Sequence, residues 1–486
     1  MKKQIKFKGK ILIIGCGSVS QCAIPIVLQL IDVPAKNVTI MDFTDNRKRV
    51  KDSLKKGVKY VFDRVTEKNY KKLLAKYVGP GDLIIDLAWN IDCCAIVTWC
   101  RKNEVLYVNT SVEEWNPYKD EQRNDPTKYT LYSRHMEIRE MIAKDWGDNS
   151  GTTAVVDHGA NPGLVSHFTK KALLDIAKKI IAEKPKDKRV KQLQDEVAAK
   201  NFARLAQITG VKVIHISERD TQITDEPKKV NEFVNTWSIE GFYEEGVAPA
   251  ELGWGTHEKY VPEGAFFHET GPRNQICLRT LGMRTWVRSW VPCGEITGMV
   301  VRHGEAFSIS DRLTVWAGDK AIYRPTVHYA YCPSDCAINS LRELEMRQFK
   351  MQEKQRIMSD EIIAGRDELG VLLMGHDFKS WWCGSLLDIH TSRKIVPHQQ
   401  ATTMQVAISV VAASIWMIKN PRRGFLLPDD LDHEEILKIS LPYIKPFVSK
   451  AVDWTPLKNL NTKFTKFDME RPKPEDVWQF GTFLVK

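Results

Sequence analysis

The stretch ILIIGCGSVSQ, residues 11–21, constrains the fold more than any other part of the chain. Four apolar residues lead directly into Gly15-Cys16-Gly17, and an amphipathic segment follows. A buried strand, a tight glycine turn and a helix, in that order, form the first unit of a dinucleotide-binding βαβ fold. Ser20 stands where such a loop usually has its third glycine, and serine is small enough to substitute there. The alternative is a tight turn in an α/β fold that binds no nucleotide.

Five strand-like runs in the first third of the chain extend this pattern, and amphipathic segments separate several of them. The runs are ILIIG (11–15), VTIMD (38–42), LIIDLA (83–88), VLYVNT (105–110) and TAVVDHG (153–159). Strands that alternate with helices pair in parallel, and continuously apolar strands are covered on both faces. We therefore predict an α/β protein whose N-terminal domain, residues 1–157, is a Rossmann-type doubly wound parallel sheet that binds a dinucleotide.

The pattern changes beyond about residue 205, where short β-like runs with Gly and Pro breaks replace the helix–strand alternation. NTWSIEGFYEEG (235–246) and AFFHETG (265–271) are examples. Such runs are typical of antiparallel pairing. They predict a second α+β domain, residues 158–486, with a largely antiparallel sheet. We expect a helix near 399–419 to pack back on the first domain.

Composition excludes several classes of protein. Of the 486 residues, 43% are hydrophobic and 27% are charged, as in globular proteins. No run of about 18 apolar residues is present, and the basic N-terminus leads into a strand instead of a signal sequence. The ten cysteines lie mainly in apolar segments and resemble reduced core residues. These features predict a cytoplasmic protein with no membrane association.

Charge and metal-like spacing point to no further ligand class. The net charge of +10 comes from Lys and Arg interleaved with Asp and Glu, so we expect no nucleic-acid partner. His328, Cys332 and Cys336 have a spacing that suggests a metal site. Pro333 disrupts a helical presentation of them and no partner pair lies nearby, so we predict that no metal is bound.

Asp42 favours NAD over NADP. It ends the second predicted strand, where a carboxylate accepts hydrogen bonds from the adenosine ribose and repels a 2′-phosphate. Arg47, Lys48 and Arg49 follow closely and keep NADP open as the alternative. The predicted cofactor-binding residues are Gly15, Gly17, Ser18, Val19, Asp42, Ala88, Asn109, Thr110 and Asn161.

Longer motifs resemble the bacterial homospermidine synthases of the saccharopine-dehydrogenase-like group. They include GCGSVSQ (15–21), VNTSVEEW (108–115), DHGANPGLVSHF (157–168), ELGWGTHE (251–258) and RHGEAFSIS (302–310). The resemblance covers nearly the whole chain. It implies a homodimer joined through the second domain.

The resemblance also implies a reaction without net redox change. NAD⁺ oxidises putrescine at an amine-bearing carbon, ammonia is lost, and a second putrescine forms an imine. The retained NADH then reduces this imine to sym-homospermidine. Spermidine plus putrescine, with release of diaminopropane, is a variant of the same reaction.

The second domain carries side chains suited to a dicationic substrate. Burying an ammonium group requires carboxylates or aromatic faces to replace water. A set of such residues lies close in sequence or in the resembling motifs: Glu218, Glu240, Glu244, Glu245, Glu251, Trp237 and Phe242. Trp237 is the candidate that holds the cationic aminobutyl group by its ring face. The alternative is that Trp237 is an ordinary core residue.

Oxidation of an amine also requires a group that removes a proton first. The resemblance assigns Glu218, Glu245 and His303 to the substrate side, and Asn161 is placed to contact both nicotinamide and substrate. Each has a structural alternative: His303 as a buried structural histidine, and Asn161 as a turn residue that caps a helix. Two further candidates are Asp367 and Asp92, and Asp92 is equally suited to cap the helix that follows it.

Two other functions remain open from the sequence. An NAD(P)-dependent dehydrogenase of the saccharopine or carboxynorspermidine type acts on carboxylate-bearing substrates, so its site should present Arg or Lys. A non-enzymatic protein that senses NAD or polyamines would keep Gly15, Gly17 and Asp42 but would need no proton-transfer groups.

Overall fold

The first domain contains a sheet of seven parallel strands. The computed structural model describes residues 3–117, 125, 127, 130–460 and 472–485. From one edge to the other, the strands are Phe425–Leu426, Ala154–Val155, Leu106–Asn109, Leu83–Asp86, Ile11–Ile14, Val38–Asp42 and Lys59–Phe62. The chain order reverses at Ile11–Ile14, which is the switch point of a doubly wound sheet. The predicted Rossmann-type fold is confirmed.

Each predicted run contains one strand of this sheet. The prediction succeeds because both faces of the sheet are covered, so its strands appear in the sequence as continuous apolar runs. Ile11, Leu12 and Ile13 are completely buried. Two strands were not predicted. Lys59–Phe62 is an edge strand with half-exposed and exposed residues, and Phe425–Leu426 joins from far along the chain. The helices and turns of residues 3–146 that flank the sheet are Ser18–Leu30, Ala35–Asn37, Lys51–Lys55, Tyr70–Tyr77, Cys93–Lys102, Leu131–Met141 and Ile142–Trp146, and a small parallel pair joins Ile5–Lys6 to Ile31–Asp32.

The second domain is built on a ten-stranded sheet. Its main path is Phe266–Phe267, Gln275–Leu281, Pro249–Gly253, Thr326–Cys332, Val213–Asp220, Arg366–His376, Lys379–Asp388 and Phe447–Val452, and the hairpin of Trp286–Val291 and Gly294–Met299 joins at Thr326–Cys332. Within this sheet, Thr326–Cys332 and Val213–Asp220 pair in parallel and the other described pairs are antiparallel. The predicted largely antiparallel sheet is therefore confirmed, but the prediction of a β-like run in NTWSIEGFYEEG is wrong, because most of that segment forms helix Ile239–Val247, capped by Ser238.

Shorter strand pairs and several helices surround this sheet. The pairs are Ile223–Thr224 with Ile362–Ala364, Glu232–Asn235 with Lys354–Ile357, and Val315–Ala317 with Lys320–Tyr323. The helices are Leu164–Glu183, Val190–Ala199, Phe202–Thr209, Ile239–Val247, Gly282–Arg284, Gly304–Arg312, Asp335–Met346, Ile389–Ile395, Ala401–Lys419, Pro428–Asp430, His433–Ser440, Pro474–Asp476 and Phe480–Phe483.

Helix Ala401–Lys419 returns to the first domain and lies against helix Ser18–Leu30. Cys22 on the latter faces Met404 on the former, with 4.0 Å between the sulfur atoms. By length and composition Ala401–Lys419 is apolar enough to cross a membrane, but 89% of its most apolar window is buried inside the protein. Burial of that extent is typical of a core helix. The second part of the chain therefore completes the fold of the first.

Candidate active site

A cavity of about 340 Å³ lies between the two domains. Its first wall consists of residues that follow the parallel strands: 17–20, 87–89 and 110–113. Its second wall comes from the antiparallel domain and includes Trp237 and Glu218. Ligands of doubly wound sheets bind outside the carboxyl ends of the strands, which is where this cavity lies.

Ten of the predicted site residues line this cavity. They are Gly17, Ser18, Val19, Ala88, Thr110, Asn161, Glu218, Trp237, Glu245 and His303. The structure thus brings the predicted cofactor loop and the predicted substrate residues to one place. The individual roles of these residues stay predictions.

Glycine occupies positions 15 and 17 of the loop for two different physical reasons. Gly15 has φ of +88°, and a Cβ atom there would lie 2.9 Å from the Leu87 carbonyl oxygen. Gly17 has an ordinary φ of −73° and precedes the first residue of helix Ser18–Leu30, and a Cβ atom there would have no atom within 4 Å. Gly15 is therefore required by the fold, whereas Gly17 leaves open space in front of the free N–H groups of a helix N-terminus.

Asp42 and Asn109 hold the strand ends in place. The Asp42 carboxylate accepts hydrogen bonds from the backbone N–H groups of Cys16 and Thr44. Asn109 accepts from the Asp157 N–H at 3.0 Å and donates to the Tyr107 hydroxyl at 3.1 Å. Gly15, Asp42 and Asn109 are not among the residues that line the cavity, and the predicted contact between Asp42 and a ribose stays a prediction.

A larger cavity of about 920 Å³ adjoins the first and shares Gly17 and Ser18 with it. Its basic side chains come mainly from the segment after Asp42 and include Lys48 and Arg49. Segments 355–360 and 396–400 of the second domain form the facing wall. The two cavities together form one cleft that runs past the N-terminus of helix Ser18–Leu30.

Glu218 lies at the floor of the first cavity and is 3% exposed. Its Oε2 atom accepts hydrogen bonds from the Asn161 amide at 2.9 Å and from the Tyr329 hydroxyl. Burial raises the pKa of Glu218 to about 7. Asn161 does not cap the following helix, because Gly163 occupies the cap position of Leu164–Glu183. The two polar groups therefore orient a carboxyl group that titrates near neutral pH.

Trp237 is half-buried and lines the same cavity. Its indole N–H donates to the Tyr331 hydroxyl at 3.0 Å. The ring meets Phe242 edge-on, with centroids 6.0 Å apart. Phe242 itself is fully buried. Trp237 is thus fixed by the core on one side while part of its surface borders the cavity.

His303 is held between two carboxylates. Its Nε2 atom lies 3.0 Å from Glu245 Oε1 and its Nδ1 atom lies 3.1 Å from Glu305 Oε2. Burial alone would lower the pKa of His303, but the charges of Glu305 and Glu245 outweigh burial and raise this pKa well above its ordinary value. The two glutamate side chains therefore favour the protonated form of His303.

Carboxyl groups outnumber basic groups around the cavity. Six carboxyl groups line it, namely Glu113, Asp157, Glu218, Glu240, Glu244 and Glu245, against two guanidinium groups and one imidazole, namely Arg134, Arg302 and His303. Arg134 and Arg302 both contact the Glu244 carboxylate. The cavity therefore suits a cationic ligand.

Comparisons with known proteins agree with this geometry. Residues 11–155 match the model of the saccharopine dehydrogenase NADP binding domain, and residues 159–452 match that of the saccharopine dehydrogenase C-terminal domain. The chain is 38% identical to homospermidine synthase of Mesorhizobium japonicum, covering 98% of this chain and 96% of the relative. The chain belongs to the homospermidine synthase family.

Two further proteins support this membership, and the resemblance predicted from the sequence is confirmed. Homospermidine synthase of Blastochloris viridis is 38% identical, over 99% of this chain and 98% of that protein. The crystal structure of homospermidine synthase from Legionella pneumophila in complex with NAD superposes with a TM-score of 0.87, at 37% identity, and covers 100% of this chain and 99% of that one.

Members of this family are identified by long motifs, yet several cavity residues here were not singled out from the sequence. Arg134 donates to Glu244, 110 residues away, at 3.0 Å, and no local pattern announces such a pair. Glu113 lies within the motif VNTSVEEW, and burial together with the Glu244 charge raises its pKa to about 7. Glu305, which does not line the cavity but contacts His303, follows it by two residues in RHGEAFSIS, so the motif itself offered a means of finding it.

Besides Gly15, Asp42 and Asn109, the predicted or considered residues Asp92, Glu251 and Asp367 do not line the cavity. Asp92 caps helix Cys93–Lys102 by accepting from the Ala95 N–H at 2.7 Å, so the structure supports the capping alternative and gives no support for a catalytic role. Glu251 accepts from the Leu131 N–H and the Gln275 amide and is fully buried. Asp367 lies behind Glu218, also fully buried. Within the described residues, no group of His, Cys, Asp and Glu is arranged to hold a metal ion.

Proposed function

We propose that this chain is an NAD-dependent homospermidine synthase, which joins two putrescine molecules and releases ammonia. The observation that carries the proposal is that the glycine loop and the residues Trp237, Glu218 and Glu245 line the same cavity. A cofactor loop and a cation-binding wall in one cleft are what the oxidation and coupling of a diamine require.

The residues of the first wall fit a dinucleotide. The open space at Gly17 and the free N–H groups of helix Ser18–Leu30 suit a pyrophosphate, and Val19 and Thr110 border the space beyond it. Bound NAD⁺ would take a hydride from the amine-bearing carbon and later return it to the imine. Asp42 favours NAD over NADP, as the sequence predicts.

The second wall prepares the amine. Putrescine carries two ammonium groups at neutral pH, and the reacting nitrogen must lose a proton first. Glu218, with its pKa near 7, accepts that proton and later returns it to a departing amine. Asn161 and Tyr329 hold the carboxyl group in place for both transfers. The Trp237 ring and the Glu245 carboxylate stabilise the remaining positive charge.

The test is to incubate the protein with putrescine and NAD⁺ and to identify products by mass spectrometry, while NADH absorbance is followed. We expect homospermidine and ammonia in equal amounts, with little NADH at steady state because the hydride is returned. Stoichiometric release of NADH would instead indicate an ordinary dehydrogenase. Replacing one putrescine by spermidine tests the variant reaction that releases diaminopropane.

A second candidate function is supported by one observation. Arg134 and Arg302 line the cavity, and a dehydrogenase of the saccharopine type needs such groups to bind a substrate carboxylate. Both guanidinium groups contact Glu244, which offsets their charge. Turnover of saccharopine or of carboxynorspermidine with NAD(P)⁺, in the absence of putrescine activity, would favour this candidate.

We also propose that the protein is a cytoplasmic homodimer. All ten cysteines are free and most are buried, which is expected in a reducing compartment. Cell fractionation with an antibody against the chain tests the location. Sedimentation velocity tests the oligomeric state.

A further inference from the structure

Three carboxyl groups meet on one face of the second sheet: Glu218, Asp220 and Asp367. Asp220 pairs directly opposite Asp367 on the neighbouring antiparallel strand. Glu218 precedes Asp220 by two residues, so their side chains point to the same face. All three are almost completely buried. Like charges this close in a dry environment do not all ionise, and their hydrogen bonds indicate which group keeps a proton.

Asp220 has the hydrogen bonds of a carboxylate. Its Oδ1 atom accepts from the backbone N–H and the side-chain amide of Gln222, at 2.8 and 3.1 Å. Its Oδ2 atom accepts from the Thr236 hydroxyl at 2.9 Å. Three donors satisfy the two oxygens and stabilise the negative charge. Glu218 likewise accepts two donors at one oxygen, from Asn161 and Tyr329.

Asp367 is the least stabilised of the three as an anion. The Gln405 amide donates to its Oδ2 atom at 3.2 Å, whereas Oδ1 is buried with no donor. Glu218 lies on the same face of the sheet as Asp367, and the Glu218 charge raises the pKa of Asp367. A hydrogen bond between two carboxyl groups requires that one of them carries the proton, and the oxygen without a donor is the one suited to carry it.

We propose that Asp367 is a neutral carboxylic acid that donates a hydrogen bond to the Glu218 carboxylate, and that the fixed charge of Asp220 keeps the proton there. Asp220 and Asp367 are then positioning residues, and Glu218 is the catalytic base. This inference rests on the proposed function for its role in turnover, but the protonation of Asp367 is a property of the protein without substrate.

Groups on every neighbouring element agree with this assignment. Tyr329 and Tyr331 face Glu218 from the adjacent parallel strand, and the His303 cation acts on it from the cavity side. Thr402 and Gln405, on the helix that covers the three acids, are uncharged. Burial and then the charges of Glu218 and Asp220 raise the pKa of Asp367 well above its ordinary value. No cation in direct contact with Asp367 is found among the described residues.

The arrangement suits a reaction that returns every proton it removes. Two ammonium groups of the substrates each lose a proton, and the departing ammonia and the new secondary amine each regain one. In each transfer a substrate N–H bond breaks as a Glu218 O–H bond forms, or the reverse. The Asp367 proton is not consumed, because Asp367 keeps donating its hydrogen bond to Glu218 while Glu218 alternates between its protonated and deprotonated forms. Asp367 itself does not line the cavity, whereas Glu218 and Thr402 do.

The first test uses the protein without substrate. Infrared difference spectra of the parent and Asp367→Asn at neutral pH should show that the variant has lost one band of a protonated carboxyl group. Glu258→Gln is the matched control, because Glu258 is a buried carboxyl group with a pKa of about 7 outside the cavity. Equal numbers of protonated carboxyl groups in the parent and Asp367→Asn would overturn the proposal, whatever the enzyme's activity.

The second test uses the pH dependence of putrescine turnover. Asp220→Asn removes a negative charge, which lowers the pKa of Glu218, so the acid limb of the profile should move to lower pH. Asp367→Asn replaces a neutral O–H donor by a neutral N–H donor, so both its acid limb and its putrescine KM should stay near those of the parent. A rise in KM of about tenfold or more in Asp367→Asn would mean that Asp367 is a charged ligand of the substrate, and would overturn the proposal.

Two further outcomes are decisive. If Asp220→Asn lowers Tm but leaves the acid limb unmoved, Asp220 is purely structural and its assigned part is wrong. If Asp367→Asn fails to fold, infrared titration of the parent and Asp220→Asn decides. We expect the protonated carboxyl band to persist to higher pH in the parent than in the variant, and coincident titrations would overturn the proposal.

Discussion

Trp237 is held in a fixed orientation, and part of its ring borders the cavity. Substitutions can therefore distinguish the effect of the ring on a bound cation from its contribution to the stability of the fold. A cation over an indole face is stabilised by about 0.5–2 kcal/mol, and a phenyl ring keeps part of this. Trp237→Phe should therefore retain some putrescine turnover although it loses the hydrogen bond to Tyr331, and Trp237→Ala should lose far more. Turnover and Tm are measured for each variant.

The control for Trp237 is Trp290→Ala, since Trp290 is also half-buried but lies outside the cavity. We expect it to leave the putrescine kcat/KM near that of the parent. A large drop in Tm for Trp237→Ala, without a specific loss of activity in the folded protein, would identify Trp237 as an ordinary core residue.

Glu245 and His303 form a pair whose effect on stability depends on pH. The folded pKa of His303 lies above its unfolded value of about 6.5, so the cation contributes stability below that pH and loses it as pH rises through the folded pKa. Glu245→Gln removes one of the two carboxylates and lowers this folded pKa. The Tm difference between parent and variant should therefore be largest below about pH 6.5 and should shrink as pH rises through the folded pKa of the parent.

Glu240→Gln is the matched control for that experiment, because Glu240 lines the same cavity but is exposed and does not contact His303. Its curve of Tm against pH should coincide with that of the parent. Glu245→Gln should also raise the putrescine KM, because an amide does not pair with an ammonium group. Parallel Tm curves and an unchanged KM for Glu245→Gln would remove this carboxylate from the site.

At the level of elements, the two glycines in the strand–loop–helix unit that begins with Ile11–Ile14 have different roles. We expect Gly15 to be needed for stability and Gly17 to be needed for NAD binding. Gly15→Ala forces a Cβ atom to within 2.9 Å of the Leu87 carbonyl at φ of +88°, so we expect a clear loss of Tm. Gly17→Ala meets no neighbour within 4 Å, so Tm should change little while NAD affinity falls, because the methyl group occupies the space in front of the helix N-terminus. Calorimetry of folding and of NAD binding measures both effects.

Gly79→Ala supplies the reference for these substitutions, since a Cβ atom there also meets nothing within 4 Å and Gly79 is remote from both cavities. It should change neither Tm nor NAD affinity appreciably. Unchanged NAD affinity in Gly17→Ala would mean that the pyrophosphate binds away from this helix.

Many strands of the first sheet could be predicted from the sequence, because local sequence patterns determine them. Continuous apolar runs predict buried parallel strands, and the turn at Gly15 marks where the first of them ends. The edge strand Lys59–Phe62 lacks that pattern because its end residues are exposed and its middle residues are only half-buried. Phe425–Leu426 pairs with Ala154–Val155 from far along the chain, and a two-residue strand carries no periodicity to detect.

The site was less predictable because its contacts are distant in sequence. Long motifs identified Glu218, Trp237 and His303, but the pairing of Asp220 with Asp367 depends on strand register in the second sheet. The Arg134–Glu244 pair joins a helix of the first domain to a helix of the second. Asp92 shows the opposite case, where a local capping preference explains the residue and the functional interpretation gains no support.

At the scale of the whole molecule, the chain passes between the two domains more than once. It enters the second domain after Ala154–Val155 and returns through Ala401–Lys419 to add strand Phe425–Leu426 to the first sheet. The cavity therefore lies between walls joined by a buried helix and a strand. Such an arrangement keeps the cofactor loop and Glu218 in a fixed relation, which suits a reaction whose hydride leaves and returns within one site.

The proposed homodimer has a candidate contact at the edge of the second sheet. Strand Phe266–Phe267 ends that sheet, and Phe267 is 45% exposed. Exposed aromatic residues on an edge strand are prone to pair with another chain.

Phe62, 69% exposed on the edge strand of the first sheet, is the matched control. Because the family resemblance implies contact through the second domain, Phe267→Lys should shift the protein from dimer to monomer in sedimentation velocity, whereas Phe62→Lys should stay dimeric. A monomeric parent would disprove the homodimer itself, and a dimeric Phe267→Lys would place the contact on another face.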